Sequence, residues 1–188
     1  MSRDRLRSTG SLLAGVYVVA VAVLETLRHT TTWPRVTDLA STPAGVAAGH
    51  VWPLLTSGLV VAGAPLAQLV GLGVTMLVVI QLLGAGAFWM AAAAAHLGSA
   101  VLAYAGIGIL WLVQRSDVDG VVDAPDYGIS CVWAGAIGAL VAAGLGSGRV
   151  RERALAVAAI GLFYVVFGAS GGLAGVEHVL AFALGAAV

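Results

Sequence analysis

Charge is what this sequence has least of. Only 10% of its 188 residues are Asp, Glu, Lys or Arg, against roughly a quarter in a soluble domain, whose surface must face water. Lysine is missing altogether, and the nine arginines are matched by nine acids. The balance gives no electrostatic reason to expect nucleic acid or any polyanion as a partner. A single cysteine, Cys131, excludes an intrachain disulfide and a thiolate metal site. His29, His50, Glu25 and Glu177 do not stand at metal-ligand spacing, and no glycine–lysine phosphate loop occurs. No cofactor is expected. Internal repeats, low-complexity tracts and a soluble domain are absent too.

What the sequence has instead is apolar length. Hydrophobic residues make up 60% of it and the mean hydropathy is +1.01. Several runs reach about 17 residues or more, enough to cross a hydrocarbon core of about 30 Å. We read six membrane spans, at 11–27, 64–83, 87–113, 127–145, 154–167 and 173–188, in one all-α domain covering residues 1–188. The first could pass for a signal peptide after Arg3, Arg5 and Arg7, but no clear cleavage motif follows, so it reads as a retained helix. A polar, turn-rich loop follows it to His50, and 52–63 reads as an interfacial or partly inserted lead-in. The long apolar tract beyond breaks at Leu83-Gly84-Ala85-Gly86, and Ser170-Gly171-Gly172 marks a second tight turn.

Arginine placement orients the spans, because cytoplasmic loops keep the positive charge. Arg3, Arg5 and Arg7 set the N-terminus inside, and four crossings later Arg149, Arg151 and Arg153 fall inside as well. The loop with Asp117, Asp119, Asp123 and Asp126 is then outside, where it reads as a solvated acidic loop, and both termini are cytoplasmic. Abundant Ala, Val and Gly with no Lys look like a GC-rich bacterial genome, so the expected location is a bacterial plasma membrane. Many of the 26 glycines lie inside the spans, where small residues let helix backbones approach closely. Gly128, Gly135 and Gly138 in the fourth span, with Gly171, Gly175 and Gly185 around the sixth, predict a close contact between those two.

Polar groups inside a bilayer are costly and are functional candidates until a blander role explains them. Four stand out: Ser130, His178, His96 and Gln68. At about 1.5 Å per residue, Ser130 lies roughly 5–6 Å and His178 roughly 10 Å below the outer ends of their helices. A neutral imidazole in hydrogen-bond reach can take the proton of a serine hydroxyl, otherwise a poor nucleophile. Each residue alone also has an ordinary structural role open to it. His96 counts into the cytoplasmic half of the third span, about a third of the bilayer from the pair, and reads as a structural hydrogen bond between helices. Gln68 reads the same way, or as an amide donor.

The order of these residues resembles a known family. Gly128-Ile129-Ser130-Cys131 resembles the Gly-x-Ser-Gly motif of rhomboid intramembrane serine proteases, which opens their fourth helix. Glu177-His178-Val179-Leu180-Ala181, with Gly185 beyond, resembles their sixth-helix Ala-His-x-x-Gly-x-x-x-Gly. Trp52-Pro53-Leu54-Leu55-Thr56-Ser57 is similar to the Trp-Arg-Leu-Leu-Thr-Ser that leads into their second helix, and Gly84 falls where they turn between helices two and three. The resemblance covers nearly the whole chain and fits a divergent bacterial rhomboid-like branch. It implies a six-helix rhomboid-like bundle. It also implies a Ser130–His178 dyad that cleaves transmembrane protein substrates near the outer leaflet, with Ser130 as nucleophile and His178 as general base and acid.

The sequence departs from that pattern in places. Rhomboids add a second-helix His-x-x-x-Asn for the oxyanion. Counting back from Gly84 puts Ala64 and Gln68 there; counting forward from Trp52 puts Leu66 and Val70. The His is gone in either register, and Gln68 is the candidate oxyanion donor. Cys131 replaces the last motif glycine, and the Tyr that packs on the family's catalytic His falls at Ala134, beside Trp133. A second reading is therefore a rhomboid-fold pseudoprotease that binds membrane segments without cutting them. A small transporter would want a polar path through both leaflets or a transporter-type repeat, and neither is present.

Overall fold

The computed structural model describes residues 8–61 and 63–188, with the backbone alone at 115–117. Arg3, Arg5 and Arg7, on which the inward orientation of the N-terminus rests, lie outside the described residues. The architecture is all-helical. Helix α1 (Thr9–Thr30) is capped by Ser8, whose side chain accepts from the Ser11 N–H. Three short helices follow, α2 (Val36–Leu39), α3 (Pro43–Ala47) and α4 (Pro53–Thr56), then a 3₁₀ turn at Ser57–Leu59. The long helices are α5 (Pro65–Leu83) and α6 (Ala85–Val113), and the short α7 (Arg115–Val122) leads on to α8 (Ile129–Gly146), α9 (Val150–Phe167) and α10 (Gly172–Ala186).

The turn chemistry follows the sequence closely. Gly84 breaks α5 from α6 with φ of 99°, and Gly172 opens α10 with φ of 59°, both in the left-handed region that glycine enters without a Cβ penalty. Pro65 begins α5, where its missing N–H costs nothing.

Four helices, α1, α5, α6 and α8, are long and apolar enough to cross a membrane. The six crossings expected from sequence are not met by that measure, because α9 opens on Arg151, Glu152 and Arg153 and α10 has only 15 residues. The exteriors support a membrane protein. Along α5, Leu66, Val70, Val74 and Leu77 are exposed while Leu72, Met76, Val79 and Ile80 are buried. Both faces are apolar, which suits a helix with lipid on one side and protein on the other.

Helix α8 is the hub. In its most apolar 18-residue stretch 72% of the residues are buried, against 22%, 28% and 33% in those of α1, α5 and α6, and α5, α6, α9 and α10 all pack on it. A helix apolar all round belongs in such a centre. Its contact with α10 is backbone on backbone. A Cβ at Gly185 would stand 2.1 Å from the Gly135 carbonyl oxygen, and one at Gly138 2.1 Å from that of Phe182. The expected close approach therefore rests on Gly135, Gly138 and Gly185. Gly128 packs elsewhere, on His96, and Gly175 lies against the Ser170 carbonyl.

The segment between α1 and α5 is inserted among the helices. Ser57, Gly58, Val60 and Val61 are buried. The Gly128 N–H donates to the Ser57 carbonyl at 2.9 Å, and the Tyr17 hydroxyl of α1 donates to the Gly58 carbonyl at 2.6 Å. Thr56 Oγ1 donates to the Leu39 carbonyl at 2.8 Å. These bonds fix the floor on which the start of α8 sits.

Candidate functional site

Ser130 is the second residue of α8 and His178 the seventh of α10. The glycine contact draws these helices together, and His178 Nε2 lies 2.9 Å from Ser130 Oγ. Ser130 Oγ also lies 3.1 Å from the Tyr127 carbonyl. The hydroxyl has one proton, so it donates either to that carbonyl or to the imidazole. Donation to Nε2 is the arrangement a general base requires. His178 is 7% exposed, and its Nδ1 is buried with no hydrogen-bond partner among the described residues. Among the described residues no carboxylate bonds Nδ1, so Ser130 and His178 stand as a pair without a third member.

The ring is held from the side by an aromatic series. Phe167, the last residue of α9, lies against His178 with centroids 4.5 Å apart. Trp133 meets Phe167 edge-on at 5.4 Å, and its Nε1–H donates to Thr75 Oγ1 of α5 at 2.9 Å. The aromatic on His178 is therefore Phe167, while Trp133 reaches it only through that ring.

A cavity of about 510 Å³ opens beside the pair, with Gln68, Asp126, Tyr127, Ser130, Glu177 and His178 in its wall. Gln68 thus faces the site, whereas Leu66 and Val70 are exposed on the other side of α5. Of the two registers, the one through Ala64 and Gln68 is the one that reaches the cavity. In the first turn of α8 the Cys131 and Val132 N–H groups donate to the Gly128 carbonyl at 3.1 Å, which leaves those of Ile129 and Ser130 at the helix end whose dipole favours negative charge. Ser130, His178, an amide and a helix N-terminus thus share one cavity.

Comparison with protein-family models, characterised proteins and solved structures finds no match. The rhomboid resemblance therefore stands on the quoted residues alone.

Two readings need correction. His96 is not remote from the pair. Its ring is buried against Gly58 and Gly128, and a Cβ on Gly128 would overlap His96 Cε1 at 1.9 Å. Neither ring nitrogen has a hydrogen-bond partner among the described residues, so the expected hydrogen bond between helices is not formed. Asp126 does not belong to a solvated loop. It is 6% exposed and accepts from the Tyr104 hydroxyl at 2.8 Å. Ser41 Oγ is 2.8 Å from that hydroxyl, and the Asp126 N–H donates to the Ser41 carbonyl at 2.8 Å. Asp119 and Asp123 are exposed, as an acidic loop should be.

Sequence reasoning missed Phe167 and the inward turn of Asp126. Phe167 carries no signal, being one aromatic among several apolar residues. Asp126 carried a weak one, since it directly precedes the Tyr127-Gly128 that opens α8.

Proposed function

We propose that this chain is an intramembrane serine endopeptidase of rhomboid type, acting on transmembrane protein substrates. The observation that carries the reading is the 2.9 Å contact between Ser130 Oγ and His178 Nε2 in the wall of a cavity. Ser130 attacks the scissile carbonyl as His178 takes its proton, and His178 then protonates the leaving amine. The oxyanion is met by the Ser130 N–H at the start of α8 and by the Gln68 amide. Water then releases the acyl group with His178 again as base. In this reading α9 and α10 also cross the bilayer, giving six spans in a bacterial plasma membrane. The termini and the Arg149–Arg153 turn are cytoplasmic, and the dyad lies toward the outer leaflet.

The test is cleavage of a transmembrane reporter by purified protein in lipid, with Ser130→Ala alongside. Cleavage in wild type that disappears in the variant supports the assignment, and equal cleavage in both sinks it. Fluorophosphonate labelling of Ser130, lost in His178→Ala, is the faster probe.

One observation favours a second reading, a rhomboid-fold pseudoprotease that binds membrane segments. Ala64, Leu66 and Val70 supply no imidazole or amide to the site, and losing one oxyanion donor costs about 10²–10³ in rate. That reading predicts co-purifying membrane proteins and no labelling of Ser130.

A further inference from the structure

The cavity beside the dyad carries two carboxyl groups that the chemistry of Ser130 and His178 leaves unused. Glu177 precedes His178 on α10 and is 2% exposed; Asp126, just ahead of α8, is 6% exposed. Both line the cavity, and their carboxyls face one another. Asp126 is anchored by Tyr104 and Ser41. Glu177 meets Asp126 through its carboxyl, but its Oε1 is buried without a hydrogen-bond partner among the described residues. The ion pairs formed by described residues use Glu25, Asp38 and Glu152 instead. His178, the basic residue next to it in sequence, has Nε2 engaged with Ser130.

A buried carboxyl with an unsatisfied oxygen is costly, and two facing carboxyls raise that cost. An arriving cationic donor relieves both terms with one charge-assisted hydrogen bond. The rest of the wall suits the carbon stem of such a group, since Val166, Phe167 and Leu173 also line the cavity, and long basic side chains lay their methylenes on apolar surface. The rhomboid pattern has alanine where this chain has Glu177, so the carboxyl is no requirement of a Ser–His dyad.

We infer that Glu177, backed by Asp126, forms a specificity subsite that receives the cationic side chain of a lysine or arginine beside the scissile bond. The inference rests on the serine peptidase reading, and its test separates the two. Two fluorophosphonates with equal alkyl chains, one ending in an ammonium and one in a methyl, are reacted with the protein in phosphatidylcholine bilayers. The cationic probe should label Ser130 at least about tenfold faster, the size a charge-assisted hydrogen bond supplies. In Glu177→Gln the ratio of the two rates should fall to near one. A ratio near one in wild type, with the neutral probe reacting, overturns the subsite and leaves the dyad standing. The two carboxyls then hold a proton between themselves. Labelling by neither probe overturns the dyad, and the subsite is then decided by butylguanidinium binding to Ser130→Ala protein. Saturable binding that Glu177→Gln removes supports the subsite; no binding overturns it.

Discussion

His178 and His96 are buried among the helices to nearly the same degree, 7% and 8% exposed, and both lie beside the first turn of α8. Their surroundings differ in kind. His178 meets a serine hydroxyl, an aromatic ring and the wall of a cavity of about 510 Å³. His96 is wedged between Gly58 and Gly128, in room that exists only because neither has a Cβ. Burial and proximity to the motif are common to both, so neither makes an imidazole a base. What distinguishes His178 is a nucleophile in reach and the larger cavity beside it, about 510 Å³ against about 190 Å³ at His96. Two glycines make His96 a packing element instead, holding the inserted segment, α6 and the start of α8 in register.

The sharpest way to break this comparison is to remove each ring in turn. Ser130→Ala or His178→Ala should lower reporter cleavage by about 10³-fold or more, since members of such a unit fail together. His96→Ala should keep fluorophosphonate labelling per folded molecule within about tenfold, its cost falling on stability as a cavity. Equal loss of labelling in the two histidine variants would make His96 part of the chemistry and end the distinction.

The wedge itself is tested next. Gly128→Ala places a methyl 1.9 Å from His96 Cε1 and 3.1 Å from the Gly58 nitrogen. Overpacking of this kind costs about 1–3 kcal/mol, read as a lowered denaturation midpoint in detergent. His96→Ala in the same chain returns the room, so the double variant should be more stable than the sum of the single losses. A double-mutant cycle measures that coupling. Additive losses would mean that the ring and the glycine do not share this space. The motif glycine at 128 thus has a local steric reason, distinct from any role in catalysis.

How much of this was legible beforehand depended on whether a feature is local along the chain. The breaks at Gly84 and Gly172 were legible because turn chemistry lies in adjacent residues. Ser130 and His178 were legible because each occupies a patterned stretch near a helix start. The close approach of α8 and α10 was legible in Gly135, Gly138 and Gly185. The depth of His96 was not, because counting residues assumes helices of equal length with level ends. At about 1.5 Å per residue, α6 with its 29 residues is roughly 43 Å long and α8 with 18 roughly 27 Å. The start of α8 therefore sits well below the far end of α6, level with His96 and Tyr104. The same offset buries Asp126, which a loop at the rim would have left in water. No sequence period reports how far one helix is sunk against another.

Tyr104 tests that sunken position from the polar side. Tyr104→Phe removes the donor at 2.8 Å from Asp126 Oδ2 and leaves Ser41 Oγ at 3.4 Å from the same oxygen. A loss of about 1–2 kcal/mol is expected, between the values for neutral and charged hydrogen bonds. The midpoint of thermal denaturation reads it. An unchanged midpoint would mean that water replaces the hydroxyl, and that the start of α8 is more open than its burial indicates.

The smallest expected effect is the most specific to His178. Phe167→Leu keeps an apolar side chain at the end of α9 but removes the ring lying 4.5 Å from the imidazole. An aromatic contact of this sort contributes about 0.5–1.5 kcal/mol beyond its buried area, which corresponds to about a twofold to tenfold change in rate. If the ring positions the base, the loss should appear in kcat with KM little changed, because the substrate-facing wall stays apolar. Phe167→Tyr, which retains the ring, should recover most of the rate. A rise in KM alone would mean that Phe167 serves only as cavity wall and does not position the base. The rigidity of His178 would then come from α10 itself, and the aromatic series from Thr75 through Trp133 would be packing of the same kind that surrounds His96.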